Sequence, residues 1–159
     1  MTVSIRDVII IGGSYAGLSA ALQLGRARRD VLIIDEGKRR NRFAASSHGF
    51  LTQDGTDPAK IAALARGQVM EYPTIDWIAG RAETAEQTEG GFAVTVGGKR
   101  HLSRRLLLAS GVRDILPDIA GLQERWGKAV FHCPYCHGYE LNQGRIGVIA
   151  SSELSMHHA

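Results

Sequence analysis

The sequence predicts an α/β fold around a central parallel sheet, and three observations carry that expectation. The runs "RDVIII" (6–11) and "VLIID" (31–35) are short, continuous and rich in β-branched residues, as in strands buried on both faces. Between them "AGLSAALQLGRARR" (16–29) places Leu18, Ala21, Leu22 and Gly25 on one helical face. A later apolar run, "RLLLAS" (105–110), has the character of another buried strand. Strand, helix and strand in that order make the crossover that a parallel sheet requires.

The remaining elements follow in order. "RFAASSHGFLTQDGTDP" (42–58) has no period and is rich in small and turn residues, which predicts a loop. Asp57 and Pro58 are a helix-opening pair, with Asp57 as N-cap to a helix over 59–72. Residues 74–110 read as a run of short strands. Within them "FAVTV" (92–96) alternates, and the pairs Gly90-Gly91 and Gly97-Gly98 mark turns on either side. After Gly111, Pro117 and a polar stretch mark a domain boundary, dividing the chain into 1–116 and 117–159. "GRIGVIASSELSMHHA" (144–159) then opens a new strand-to-helix pattern.

At 159 residues the chain is long enough for one sizeable core, and its 44% hydrophobic and 22% charged content is that of a globular protein. The net charge of +3 comes from dispersed residues. The densest cluster, Lys38-Arg39-Arg40-Asn41-Arg42, suits a local phosphate or a solvated loop. Aromatic residues make up only 6% and do not interleave with basic ones, so a nucleic-acid surface is not expected. No apolar span reaches membrane length. Asp7 adjoins the first apolar run and Gly12 and Gly13 end it, so the N-terminus does not read as an export signal, and a cytoplasmic setting is expected.

Two sites carry chemistry. In "VIIIGGSYAGLSAA" Gly12 stands where the strand turns sharply, and Gly17 where the helix packs closely on it. Between them Gly13, Ser14, Tyr15 and Ala16 bring a helix N-terminus to face a pocket, where free N–H groups attract a pyrophosphate. Asp35 ends the second strand, 23 positions after Gly12, where a carboxylate meets a ribose hydroxyl. The pattern departs from G-x-G-x-x-G at its middle glycine, here Ser14.

The second site is "FHCPYCHGYE" (131–140), which holds both cysteines of the chain. A zinc site, a haem tether, a structural disulfide and a redox pair all use C-x-x-C. Tetrahedral zinc needs four converging ligands, which His132 and His137 adjoining Cys133 and Cys136 make awkward, and no metal is expected. The C-x-x-C-H pattern of haem attachment normally accompanies export. A disulfide closing so short a loop restricts the unfolded chain little. A redox dithiol/disulfide fits best: one thiolate attacks while its neighbour resolves. A helix beginning at Cys136 would stabilise that thiolate, and His137 titrates near neutral pH.

The arrangement of "GGSYAG", "LLLASG" (106–111) and C-x-x-C resembles that of thioredoxin reductase-like flavoproteins, which are FAD-dependent pyridine nucleotide-disulfide oxidoreductases. The resemblance implies an FAD/NAD(P)-binding Rossmann-like three-layer fold with a central parallel sheet. Residues 1–116 would be the N-terminal part of the FAD domain, and 117–159 the start of a second, NADPH-type domain. It implies FAD at Gly12, Gly13, Ser14, Ala16 and Asp35, with Ala109, Ser110 and Gly111 also near the cofactor. "SHGFLTQDG" (47–55) is similar to a loop beside the flavin in one subgroup, which adds His48 and Gly49. Where thioredoxin reductases have aspartate after the second cysteine, this chain has His137. That resembles the C-x-x-C-H-G subgroup, which includes the dithiol oxidases of gliotoxin and holomycin biosynthesis. By resemblance Cys136 is the flavin-proximal thiol, Cys133 exchanges with a small-molecule or protein dithiol, and His137 is the acid/base.

A reductase of this kind needs a second cradle for NADPH. Aligning "RIGVIASSELSMHHA" on the first cradle puts Ala150, Ser152 and Ser155 at the three glycine positions, and Glu153 where a phosphate would lie. Usual NADPH binding is therefore not expected, and dithiol oxidation is favoured over an NADPH-dependent reductase. The resemblance also implies further chain beyond residue 159. That suggests a truncated or interrupted product, a fragment or half of a split enzyme, with weak FAD retention on its own. A homodimer or a complementing C-terminal fragment would then complete it, and a non-catalytic remnant or FAD-binding module is the opposing class.

Overall fold

The computed structural model describes residues 4–153 and Ser155. The chain forms two compact units: one runs up to Arg39 and resumes over Lys60–Val112, the other comprises Arg40–Ala59 and the chain from Arg113 onward.

The first unit is built on β1 (Ile5–Ile11), α1 (Tyr15–Arg26), β2 (Val31–Asp35), α2 (Pro58–Met70), β3 (Ile75–Ala79), β4 (Thr84–Thr88), β5 (Gly91–Val96) and β6 (Lys99–Leu108). The six strands make one sheet in the order β3-β2-β1-β6-β5-β4. Strands β3, β2, β1 and β6 run parallel, with Ile9 opposite both Leu32 and Leu106. The other two are antiparallel, so the expected central parallel sheet continues into an antiparallel arm and the sheet as a whole is mixed.

The reason lies in β6, which starts well before the expected "RLLLAS". Gly97 and Gly98 both have positive φ (54° and 71°) and fold residues 99–103 back along β5 as a tight hairpin. From Leu102 onward the same strand runs parallel to β1. Its polar first half thus belongs to the antiparallel arm and its apolar second half to the parallel sheet.

Alternation along β1 and β2 produces two cores. Ile10, Val31 and Ile33 face Leu18 and Ala21 of α1 and Val69 of α2. Ile9, Leu32 and Ile34 face the other way and pack on Val94 and Val96 of β5. Helices therefore cover one face and the antiparallel arm the other, in three layers. Asp57 caps α2 as expected, its Oδ1 accepting the Ala59 N–H at 2.7 Å.

The second unit has short elements: a 3₁₀ turn (Arg40–Phe43), α3 (Leu122–Arg125), α4 (Pro134–His137) and another 3₁₀ turn (Tyr139–Leu141). The loop expected over 42–58 is largely irregular and is closed by a bridge between Ser47 and Thr56. The strand expected from 144 does not form; residues 144–150 have no regular structure. An apolar run becomes a strand only beside another, and among its described residues this unit contains no strand for it to join. The end of the expected helix, Leu154 and residues 156–159, lies outside the described residues. Among the described residues no helix is long and apolar enough to cross a membrane.

Ile10 is fully buried between both helices, so Ile10→Ala should cost about 2–5 kcal/mol in denaturant unfolding. Leu64→Ala, on the 56% exposed side of α2, should change stability by less than about 0.5 kcal/mol in the same assay.

Candidate cofactor cradle and redox site

The cradle forms where β1 ends between two parallel neighbours. Gly12 has φ 108°, and a Cβ there would come within 3.0 Å of the Ala109 carbonyl. A Cβ at Gly17 would strike the Gly12 carbonyl oxygen and crowd Ile10. Both glycines are therefore dictated by backbone meeting backbone. Ser14 is the N-cap of α1 but makes no side-chain cap bond, and no acidic residue stands in the first helical turn at Tyr15, Ala16 and Gly17. The helix start is left without a local carboxylate to oppose an anion.

Asp35 stands at the end of β2, facing this turn. Its Oδ1 accepts the Gly13 N–H at 2.9 Å and its Oδ2 accepts the Gly37 N–H at 3.1 Å. Each oxygen keeps a further lone pair for a hydroxyl donor. Gly12, Asp35 and Ser110 line one cleft of about 200 Å³ together with Lys38, Gly80 and Arg81. Ala109 donates its N–H to Ile11 at 2.8 Å and so follows β6 into the cradle wall. Gly111 holds φ 68° with open space around it. Glycines without room for Cβ, an uncapped helix start, the Asp35 carboxylate, a Lys38–Glu36 ion pair and Arg81 suit a dinucleotide. Lys38 belongs to the basic cluster evident in the sequence; Gly80 and Arg81 carry no such signal.

The redox segment lies in the second unit. Cys133 and Cys136 are joined as a disulfide with Cα atoms 5.4 Å apart. The helix does not begin at Cys136: Pro134 takes the first position, and Cys133 is the N-cap, its Sγ accepting the Cys136 N–H at 3.1 Å. The backbone donor thus serves Cys133 rather than Cys136. Gly138 closes the turn by donating to the Pro134 carbonyl at 2.6 Å, where a Cβ would collide with that same oxygen. His137 stacks on Phe131 at 5.1 Å, and both its ring nitrogens are buried without a hydrogen-bond partner.

His48 and Gly49 lie in the same unit as the cysteines. His48 Nε2 is 2.9 Å from Ser46 Oγ, and its Nδ1 is 3.3 Å from Glu140 and 3.6 Å from Asp54. Gly49, at φ 74°, donates its N–H to Asp54 at 2.8 Å. The role of Glu140 in holding this loop to the redox segment has no signature in the sequence. Among the described residues no group of three or more His, Cys, Asp or Glu gathers around a metal position.

The position aligned with Gly17 in the second glycine-poor segment is Ser155. Its Oγ accepts the N–H groups of Ser151 and Ser152, both at 3.1 Å. This hydroxyl thus takes up the two amides aligned with Gly13 and Ser14 of the first cradle.

Residues 6–152 match the family model described as "Pyridine nucleotide-disulphide oxidoreductase". The chain is 36% identical over 160 residues to a thioredoxin reductase, tcpT, of Claviceps purpurea, covering 96% of this chain and 49% of that protein. It is similar to an oxidoreductase from Agrobacterium tumefaciens of solved structure (63% identity, TM-score 0.95, 98% of this chain, 53% of that one). It is also similar to the crystal structure of HlmI (41% identity, TM-score 0.90, 98% and 50% coverage). The chain spans about half the length of the curated relatives it matches.

Arg40 clasps Asp114 through its Nε at 2.9 Å and through Nη2. That hydrogen bonding, above all, holds the Asp114 carboxyl below its ordinary 3.8. The depressed pKa means the stabilisation is complete above the unfolded value and is lost as pH falls through the folded one. The stability difference between wild type and Asp114→Asn should be constant above about pH 5 and shrink below about pH 4 in denaturant melts.

Proposed function

The chain belongs to the pyridine nucleotide-disulphide oxidoreductase family, in its FAD-binding, thioredoxin reductase-like branch, and from that premise we propose that it serves dithiol oxidation. The observation that carries this reading is the Cys133–Cys136 disulfide followed by His137, whose buried nitrogens are unpartnered. FAD would be held by Gly12, Gly13, Ser14, Tyr15, Ala16 and Gly17 around its pyrophosphate, with Asp35 on a ribose. Ala109, Ser110 and Gly111 would form the opposite wall, and His48 and Gly49 would stand beside the redox segment.

In the chemistry we assign, a substrate thiolate attacks Cys133 Sγ, the Cys133–Cys136 bond breaks, and Cys136 leaves as a thiolate. His137 holds the proton given up by the attacking thiol. The second substrate thiol then attacks its own sulfur in the mixed disulfide, releasing a cyclic or intramolecular disulfide and the Cys133 thiolate. The Cys136 N–H stabilises that leaving charge. Two electrons end on the cysteine pair, one substrate proton is held by His137, and the Cys136 thiolate takes the proton of the second thiol. FAD, when bound, would supply the two-electron acceptor for the reduced pair.

The hydroxyl of Ser155 on the Ser151 and Ser152 amides favours this reading over NADPH-fed reduction. The name of the Claviceps relative, a thioredoxin reductase, favours the alternative. We assign residues 1–116 to the FAD domain, 117–159 to the start of a second domain, and the protein to the cytoplasm. Its partner is a small-molecule or protein dithiol. Completion by a homodimer or by a complementing C-terminal segment accords with the exposure of Ile115, Ile146 and Val148.

Anaerobic titration decides between the two. Dithiothreitol should bleach the flavin absorbance of the loaded protein, whereas NADPH should not; rapid bleaching at low micromolar NADPH would overturn the oxidase reading. His137→Gln should slow dithiol-driven bleaching by about 10²–10⁴-fold at neutral pH with FAD content unchanged. The deficit should narrow above about pH 8.5, where thiols ionise unaided.

A further inference from the structure

We infer that Trp77 is a positioning residue of the cradle: its indole fixes the Gly13 peptide, and position 13 is glycine because of that ring. The inference rests on the reading that the cradle takes FAD. Gly13 differs from its neighbours. At Gly12 and Gly17 an added Cβ meets backbone, whereas at Gly13 its three nearest atoms are Cη2, Cζ2 and Cζ3 of Trp77, all under 3.0 Å. Gly13 also has no positive φ, so its backbone accepts an L-residue without strain. What bars a side chain there is one side chain on β3.

That ring is itself held. Trp77 stands opposite Ile33 of β2 and packs against the core formed by Ile10, Val31 and Val69. The Arg66 guanidinium of α2 lies 4.1 Å from the ring centroid. The benzo edge therefore presses on Gly13 from a fixed platform. Gly13 in turn directs its N–H to Asp35 and links Gly12 to the α1 N-cap, Ser14. A shift of this one peptide moves the ribose carboxylate and the helix entry together, so Trp77 acts on cofactor affinity through Gly13 without touching the cofactor.

The test is a size swap read in two ways, by FAD titration and by thermal unfolding without FAD. Gly13→Ala should weaken FAD binding by about tenfold or more and lower Tm, and Trp77→Leu should do the same by loosening the turn. In Gly13→Ala/Trp77→Leu the new methyl enters the vacated space, so the double variant should bind FAD more tightly, and melt higher, than Gly13→Ala alone. Losses that simply multiply in both assays, or Gly13→Ala behaving as wild type, overturn the inference. Rescue in Tm with no FAD bound by wild type upholds the Gly13–Trp77 coupling and overturns the cofactor reading instead.

Discussion

The first unit is organised around the approach of three backbones at the carboxyl end of β1. The Gly12 peptide lies against the Ala109 carbonyl, and α1 enters with Gly17 against the Gly12 carbonyl. These contacts leave no volume for a Cβ, and they draw β1, α1 and the end of β6 into one corner. Because β1 is hydrogen-bonded on both sides, the corner cannot relax by moving an edge strand. The same corner brings Gly12, the Asp35 carboxylate and Ser110 to one cleft. Sheet order, helix entry and ligand chemistry thus share a single steric cause.

The second glycine-poor segment shows what the corner does by lacking it. Serine at 155 brings a hydroxyl whose two acceptor sites are used by the amides of Ser151 and Ser152. A satisfied amide has little to gain from a phosphate, since the ligand must displace a bond already made. At the first cradle Ser14 makes no such cap, and the Gly13 amide donates to Asp35. The two segments differ at the close-packing position, where Gly17 has no side-chain oxygen to offer and Ser155 does.

Much of this was legible in the residues themselves. β1, α1 and β2 follow from continuous apolar runs and a 3.6-residue period, because burial on both faces leaves few other arrangements. The start of α2 is written in Asp57 and Pro58. The Gly97-Gly98 turn is legible as well, but the length of β6 is not, since its polar half gains its strand conformation from pairing with β5. The run after residue 144 shows the converse: a strand-like composition does nothing without a neighbour. At the site, Gly12, Gly17 and Asp35 were readable because backbone geometry demands them at fixed spacing. Trp77 and Glu140 were not, because nothing in a sequence indicates which side chain a strand or turn will press against a distant glycine or histidine.

The redox segment divides its two sulfurs by chemistry that the C-x-x-C spacing alone does not assign. A single helical turn has little macrodipole, so what counts is the individual N–H. Here Pro134 contributes none and Cys136 gives its own to Cys133, which fixes Cys133 as the sulfur with a built-in donor for negative charge. Cys136 has instead His137 as its sequence neighbour, whose nitrogens lie buried and unsatisfied. In the proposed chemistry this separates two tasks. Cys133 bears charge when it leaves the mixed disulfide, and Cys136 has a proton carrier beside it. With an aspartate in place of His137, the neighbour would be a carboxylate, whose negative charge raises the cost of a thiolate at Cys136. The imidazole is therefore better suited to receiving a proton from an incoming dithiol than to standing beside a permanently reduced pair.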